Sequence, residues 1–193
     1  MQNDLRITFI GGGNMAAALL GGLAGKLTAG ANIHVVDINA DALARLQQQF
    51  GVTAAPQLDA AVAASDVVVL AVKPQQMRDV AAQLRPHVGQ QLVLSIAAGI
   101  RGADLSRWLG GHSAIVRTMP NTPALIGQGI TGMVALPGVS EGQRAAADSV
   151  LRASRGDLKD DATAMMVDWH GGHDRQRTTS GGADPQRASD PLV

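Results

Sequence analysis

The chain contains no cysteine among its 193 residues. Disulfide frameworks, thiolate metal sites and cysteine nucleophiles are therefore excluded. It has no tyrosine, two phenylalanines and two tryptophans, an aromatic fraction of 2%, too few for the stacking platforms on which single-strand nucleic-acid binders hold bases. Charge of one sign is also lacking, since 16 Lys and Arg balance 16 Asp and Glu at a formal net charge of zero. Such a chain offers no phosphate-attracting field, and no nucleic-acid partner is expected. No apolar run approaches the ~20 residues that a membrane helix needs. Asp4 and Arg6 sit beside a strand-like run with no cleavage site after it, so the start does not read as a signal peptide. A cytoplasmic protein without a membrane partner is the expectation.

What remains is a core-former, with 46% apolar and 17% charged residues. Residues 5–10, 33–37, 67–72, 92–96, 114–117 and 132–136 are short β-branched or apolar runs that read as strands. Residues 14–26, 40–49, 75–84, 103–109 and 141–152 read as helices, the last opened by Ser140 as its cap. Strands alternating with helices require crossover connections, hence a mostly parallel sheet covered on both faces. The predicted fold is α/β, doubly wound and Rossmann-like, over residues 1–153. Beyond Ala153 the composition changes: the last 40 residues carry 12 charged residues against 20 in the preceding 153, and no Ile or Phe. Residues 154–193 are expected to be a disordered polar tail, because they cannot bury enough surface to offset their ordering entropy.

Gly11-Gly12-Gly13-Asn14-Met15-Ala16 follows the first strand and opens the first helix, fitting G-x-G-x-x-A. Gly11 suits a tight turn, Gly13 a close approach of backbone to a pyrophosphate, and Ala16 close packing of helix on strand. The helix start adds unpaired N–H groups and a partial positive charge. Asp37 ends the second strand 24 residues after Gly13, where an acid accepts hydrogen bonds from adenosine ribose hydroxyls. Its charge favours NAD(H) over NADP(H), although Asn39 and Arg45 nearby leave that choice open. The alternative is that Asp37 is a strand-end cap. The cofactor expected is NADPH or NADH.

Three further segments carry a resemblance: Ala71-Val72-Lys73-Pro74, Ser95-Ile96-Ala97-Ala98-Gly99 and Met119-Pro120-Asn121-Thr122-Pro123. With the glycine motif, in this order, they closely resemble the N-terminal domain of pyrroline-5-carboxylate reductase, over about residues 5–153. The resemblance implies hydride transfer from NAD(P)H to the cyclic imine of 1-pyrroline-5-carboxylate, the last step of proline biosynthesis. It places Ala71, Val72, Lys73 and Pro74 along the nicotinamide-side phosphate and ribose, and Ala97 and Ala98 against the nicotinamide. Asn121 and Thr122 would fix the carboxamide or the substrate-side edge; the alternative is that Pro120 and Pro123 only shape a turn. Little acid–base machinery is needed, because positioning and the cofactor dominate such a reduction, and no catalytic residue is singled out.

His34, His87 and His112 read as ordinary strand or surface residues. His170 and His173 form H-x-x-H without an acidic or Cys partner at metal spacing, so no metal site is expected. Family members continue into a helical domain that dimerises and completes the substrate pocket, where this chain instead has Trp169-His170-Gly171-Gly172-His173. A tail read out of frame would produce such a break, as would a true truncation. Impaired turnover is expected in either case, as is loss of the family's homo-oligomer, with apolar surface left open near Val134, Leu136, Val150 and Leu151. Two alternatives stand beside the reductase: a non-catalytic dinucleotide-binding module or inert remnant, and a related reductase of another imine or a hydroxy acid.

Overall fold

The computed structural model describes residues 4–120 and 131–153. Seven strands form one sheet: β1 (Ile7–Ile10), β2 (Ile33–Val36), β3 (Thr53–Ala55), β4 (Val67–Leu70), β5 (Leu92–Ser95), β6 (Ile115–Pro120) and β7 (Thr131–Ala135). Six α-helices accompany them: α1 (Asn14–Leu23), α2 (Ala40–Phe50), α3 (Ala60–Ala63), α4 (Met77–Leu84), α5 (Gly102–Trp108) and α6 (Glu141–Ala153). The strand order is β3-β2-β1-β4-β5-β6-β7. Every pairing is parallel except β6 with β7. The chain winds outward from β1 to β3, returns to lay β4 on the other side of β1, and winds outward again. The gap between β1 and β4 is thus the topological switch point, where open α/β sheets take ligands at the carboxyl ends of their strands.

Strand side chains alternate between faces, and here both faces are apolar. Ile7 and Phe9 of β1, Val67 and Val69 of β4, and Leu92 and Leu94 of β5 pack with Leu19, Leu20 and Leu23 of α1, Leu46 of α2, and Val150 and Leu151 of α6. Ile10, Val68, Leu70, Val93 and Ile115 face the opposite layer with Val62 of α3, Met77 and Leu84 of α4, and Leu105 of α5. Each such side chain contributes about 1.5–3 kcal/mol by leaving water. A continuous apolar run like that of β4 therefore belongs at the centre of the sheet. Val150 and Leu151 are buried under α6, which corrects the expectation that they lie open; Val134 and Leu136 are half-buried.

Thr8 of β1 and His34 of β2, buried polar residues in register on adjacent strands, each find a partner on another segment. The Thr8 and Ser65 hydroxyls are hydrogen-bonded, and His34 Nδ1 lies 2.8 Å from Thr53 Oγ1. His34 is thereby a strand residue with a structural partner. The polar segment 154–193 lies outside the described residues, as do Asn121, Thr122, Pro123, His170 and His173.

Candidate functional site

At the end of β1 the chain reverses at Gly11, whose φ is +104°. Its N–H donates to the Val36 carbonyl at 2.8 Å. A Cβ on Gly11 would stand 2.7 Å from the Ala71 carbonyl oxygen and 3.1 Å from Val72 Cγ1. Both the backbone angle and the neighbouring strand end therefore demand glycine. That contact also brings Ala71 and Val72, two of the residues singled out from sequence, directly against the glycine turn. Ala71 is tied there by its own N–H, which donates to the Ile10 carbonyl at 2.8 Å.

Gly12 donates its N–H to Asp37 Oδ2 at 2.6 Å, while Asp37 Oδ1 accepts the Asn39 N–H at 2.8 Å. The carboxylate is half-buried and clasps the glycine turn to the loop that opens α2. The structural reading of Asp37 is thus realised, without removing its capacity for more: a carboxylate offers about four acceptor positions, and two are used. The bonds that Gly12 and Asn39 make to Asp37 are not foreseen from the sequence. The signal available in the sequence was the Asp at the strand end, whose charge calls for backbone donors from whatever packs beside it.

Gly13 differs from its neighbours. It is the residue before α1, with φ −71° and no side-chain cap for the helix. Among the described residues, a Cβ built on it meets nothing within 4 Å. None of them requires glycine there, and the backbone is left open to a group that lies against it. Asn14 is exposed, Met15 is half-buried, and Ala16 is fully buried against the sheet as its small size permits. The first turn of α1 holds no acidic residue, so its N–H groups and dipole are left for an external anion. α2 is the contrast, since its first turn is closed by the Asn39 side chain accepting from the Ala42 N–H at 3.1 Å.

Further along the same edge, Lys73 is exposed and precedes a 3-10 turn, Pro74–Gln76, that leads into α4. After β5, Ala98 is exposed, whereas Ala97 is buried in the core cluster on the α4 and α5 side. The Ala97 carbonyl accepts from Arg117 Nη2 at 2.9 Å, a strut from β6 that sequence gave no sign of. A cavity of about 670 Å³ adjoins this turn, lined by Gly99, Arg101, Arg117, Met119, Val134 and Leu136. The site residues named from sequence therefore fall into two neighbouring groups, Gly11 to Ala16 with Asp37, Ala71 and Val72 at the switch point, and Lys73, Pro74, Ala97 and Ala98 beyond it. Asn121 lies outside the described residues. Among the described residues no three His, Cys, Asp or Glu side chains are grouped to hold a metal ion, and no helix is long and apolar enough to cross a membrane.

The geometry fits a dinucleotide: an open helix start for phosphates, a glycine that leaves room, and a carboxylate at the end of the neighbouring strand. Comparison with known proteins gives the chain named relatives. Residues 6–99 match the family model described as NADP oxidoreductase coenzyme F420-dependent. The chain is 46% identical over 149 residues to pyrroline-5-carboxylate reductase of Pseudomonas aeruginosa, covering 77% of this chain and 55% of the relative. It is 40% identical over 133 residues to that of Escherichia coli, covering 67% and 49%. Among solved structures, a pyrroline-5-carboxylate reductase from Coxiella burnetii superposes with a TM-score of 0.74 at 37% identity, over 79% of this chain and 57% of that one. Prephenate dehydrogenase from Aquifex aeolicus shares the fold alone, with a TM-score of 0.63 at 16% identity, over 80% of this chain and 59% of that one. By sequence and by fold together, the chain is similar to the pyrroline-5-carboxylate reductases over 77% of its length, and it spans about half the length of the curated relatives it matches.

Proposed function

We propose that this chain binds NADH or NADPH at the switch point and is the cofactor-binding part of a cytoplasmic enzyme that reduces 1-pyrroline-5-carboxylate to proline. The observation that carries the binding reading is the contrast between two glycines. Gly11 is closed in by Ala71, whereas Gly13 has nothing among the described residues within 4 Å of a Cβ and opens the uncapped helix α1. The substrate is a small molecule rather than a nucleic acid or a membrane, and its identity rests on the named relatives. Residues 1–153 are read as the domain and residues 154–193 as a separate polar segment.

When bound, the nicotinamide supplies the hydride. The residues of this chain position it. The backbone N–H groups at the start of α1, from Asn14 to Ala16, hold the pyrophosphate, and Asp37 accepts from the adenosine ribose hydroxyls with its remaining lone pairs. Ala71, Val72, Lys73 and Pro74 run beside the nicotinamide half. Ala98 presents a small side chain to the ring, with Ala97 fixing the turn from below. Asn121 is assigned to the carboxamide or the substrate edge on the strength of the Met-Pro-Asn-Thr-Pro segment.

Fluorescence titration of the purified chain with NADH and NADPH tests the binding reading, which predicts one saturable dinucleotide site. Oxidation of the cofactor on adding 1-pyrroline-5-carboxylate tests the activity. A second reading is a dinucleotide-binding module without turnover of its own, and binding with little or no reduction favours it. Brisk reduction returns the assignment to a working reductase, and a homo-oligomer then becomes the proposed assembly.

A further inference from the structure

We propose that the cavity between β6, β7 and the turn after β5 binds a small carboxylic acid with a compact apolar body, and that Arg117 is the cation that holds its carboxylate. The proposal goes beyond the dinucleotide reading and stands without it. It starts from a contrast among the arginines. Arg6, Arg107 and Arg152 are exposed, and each holds an aspartate: Asp66 at 3.6 Å, Asp104 at 2.7 Å and Asp148 at 2.6 Å. Water screens those charges in any case. Arg117 is half-buried, where a guanidinium most needs a counter-charge, yet among the described residues no carboxylate pairs with it. Its Nη2 donates to the neutral Ala97 carbonyl at 2.9 Å, and its buried Nε has no hydrogen-bond partner among them. The bond to Ala97 fixes the fork in place, while most of its N–H donors are not used by the protein.

Strand register shapes the chamber beside it. Arg117 stands opposite Val134 in the β6–β7 ladder, and Met119 opposite Gly132. Arg117 and Met119, two apart on β6, share one face of the sheet. A Cβ built on Gly132 meets nothing within 4 Å among the described residues, so the sheet surface next to this pair carries little bulk. The cavity there, about 670 Å³, is of the size that holds small organic ligands. Met119, Met133, Val134 and Leu136 give it apolar walls, Arg101 and Arg117 are its charged residues, and none of the described lining residues is acidic. An inorganic anion would leave those walls uncovered, and a cation would be repelled. A carboxylate on a small ring or branched chain satisfies both parts: the planar fork matches its two oxygens, and the hydrocarbon covers the walls. The cavity lies at the carboxyl end of β6 and beside Gly99, which follows β5. The acid could thus be the substrate of the proposed reaction or another of the same chemistry.

The test is titration of the labelled 193-residue chain with cyclopentanecarboxylate, with its neutral amide cyclopentanecarboxamide, and with acetate, read at the backbone amides. Saturable shifts at Gly99, Arg101, Gly102 and Gly132 to Val134 are expected with cyclopentanecarboxylate. The amide keeps the ring and loses the charge, and is expected to bind about tenfold more weakly or worse. Acetate keeps the charge and loses the ring, with a similar or larger loss. Arg117→Met is expected to bring the carboxylate down to the affinity of the amide, whereas Arg101→Ala, at an exposed position, changes it by less than about threefold. Equal binding of carboxylate and amide overturns the proposal, since the cavity is then merely apolar. Unchanged carboxylate binding by Arg117→Met overturns it too, as does the lack of saturable shifts at those amides. Should Arg117→Met fail to fold, the contrast between carboxylate and amide in the unaltered chain decides alone. Competition then separates the two sources: 1-pyrroline-5-carboxylate displaces the probe if the acid is the substrate, and leaves it in place if the site serves a different acid. No dinucleotide enters these titrations, so their failure and a failure of the dinucleotide reading are separate results.

Discussion

Replacing Gly11 and Gly13 in turn by alanine separates what the fold demands from what a ligand demands. In Gly11→Ala the new Cβ stands 2.7 Å from the Ala71 carbonyl oxygen and 2.8 Å from its carbon, at a φ of +104°. Alanine at such an angle costs about 1–2 kcal/mol. Forcing a methyl into a filled space costs about 1–3 kcal/mol more. Relief by movement is blocked, because the Gly11 and Ala71 N–H groups are each bonded at 2.8 Å to a neighbouring strand end. The sum, about 2–5 kcal/mol, lowers the melting temperature by at least about 5 °C for a chain of this size. Gly13→Ala meets nothing, and its φ of −71° suits any residue. Losing glycine before the helix costs about 0.5–1 kcal/mol, and the stiffer unfolded chain returns about the same. Thermal unfolding by circular dichroism is thus expected to separate the two variants widely. NADH titration is expected to show Gly13→Ala weakened about tenfold or more while its Tm is nearly unchanged, because the methyl stands where the pyrophosphate approaches. Equal melting temperatures for Gly11→Ala and the unaltered chain would refute the packing argument. Undiminished binding by Gly13→Ala would refute the outward-facing role of that glycine.

Other substitutions probe the supports of the site. Leu46→Ala, at a fully buried position whose Cδ1 would lie 3.1 Å from a Cβ on Gly12, is expected to cost about 2–5 kcal/mol in denaturant unfolding and to weaken NADH binding as the glycine turn loosens. Asn39→Ala removes the cap that accepts from the Ala42 N–H and should cost about 1 kcal/mol, measurable by urea titration. Arg107→Ala breaks an ion pair with Asp104 in which the arginine side chain is 72% exposed; the same titration should show a change below about 0.5 kcal/mol.

Much of the architecture was legible because the strands at the centre of the sheet are buried on both faces. The runs at 33–37, 67–72 and 92–96 became β2, β4 and β5 with ends shifted by a residue or two. β3 and α3 were not legible. Thr53–Ala55 is a three-residue edge strand, partly exposed, and Ala60–Ala63 is a single turn of small residues. Neither is long enough to show a period, and both are held by the sheet and by the Asp59 cap rather than by their own propensity. The sequence pattern predicts a first helix to residue 26, but the helix ends at Leu23, where Ala24 turns extended and Gly25 takes a φ of +77°. α6 was expected to show Val150 and Leu151 to solvent. They are instead covered by packing on the α1 side of the sheet, which the helix period alone does not reveal.

The candidate site was legible in its positions more than in its contacts. Glycine spacing places Gly11 and Gly13, but only three dimensions show that one is closed in by Ala71 and the other open. Asp37 was read as either a ribose acceptor or a strand-end cap; its two bonds to Gly12 and Asn39 establish the second role and leave lone pairs for the first. The strut from Arg117 to the Ala97 carbonyl joins residues 20 apart on adjacent strands, a contact that depends on register and that no local pattern encodes.

The central claim, that the edge between β1 and β4 binds a dinucleotide, is tested most directly by mapping backbone amide chemical shifts as NADH is added to the labelled 193-residue chain. The account predicts saturable shifts concentrated at Gly12 to Ala16, Asp37 to Asn39 and Ala71 to Lys73, with the far end of the sheet unmoved. Shifts absent from those amides, or confined to another surface, would contradict it.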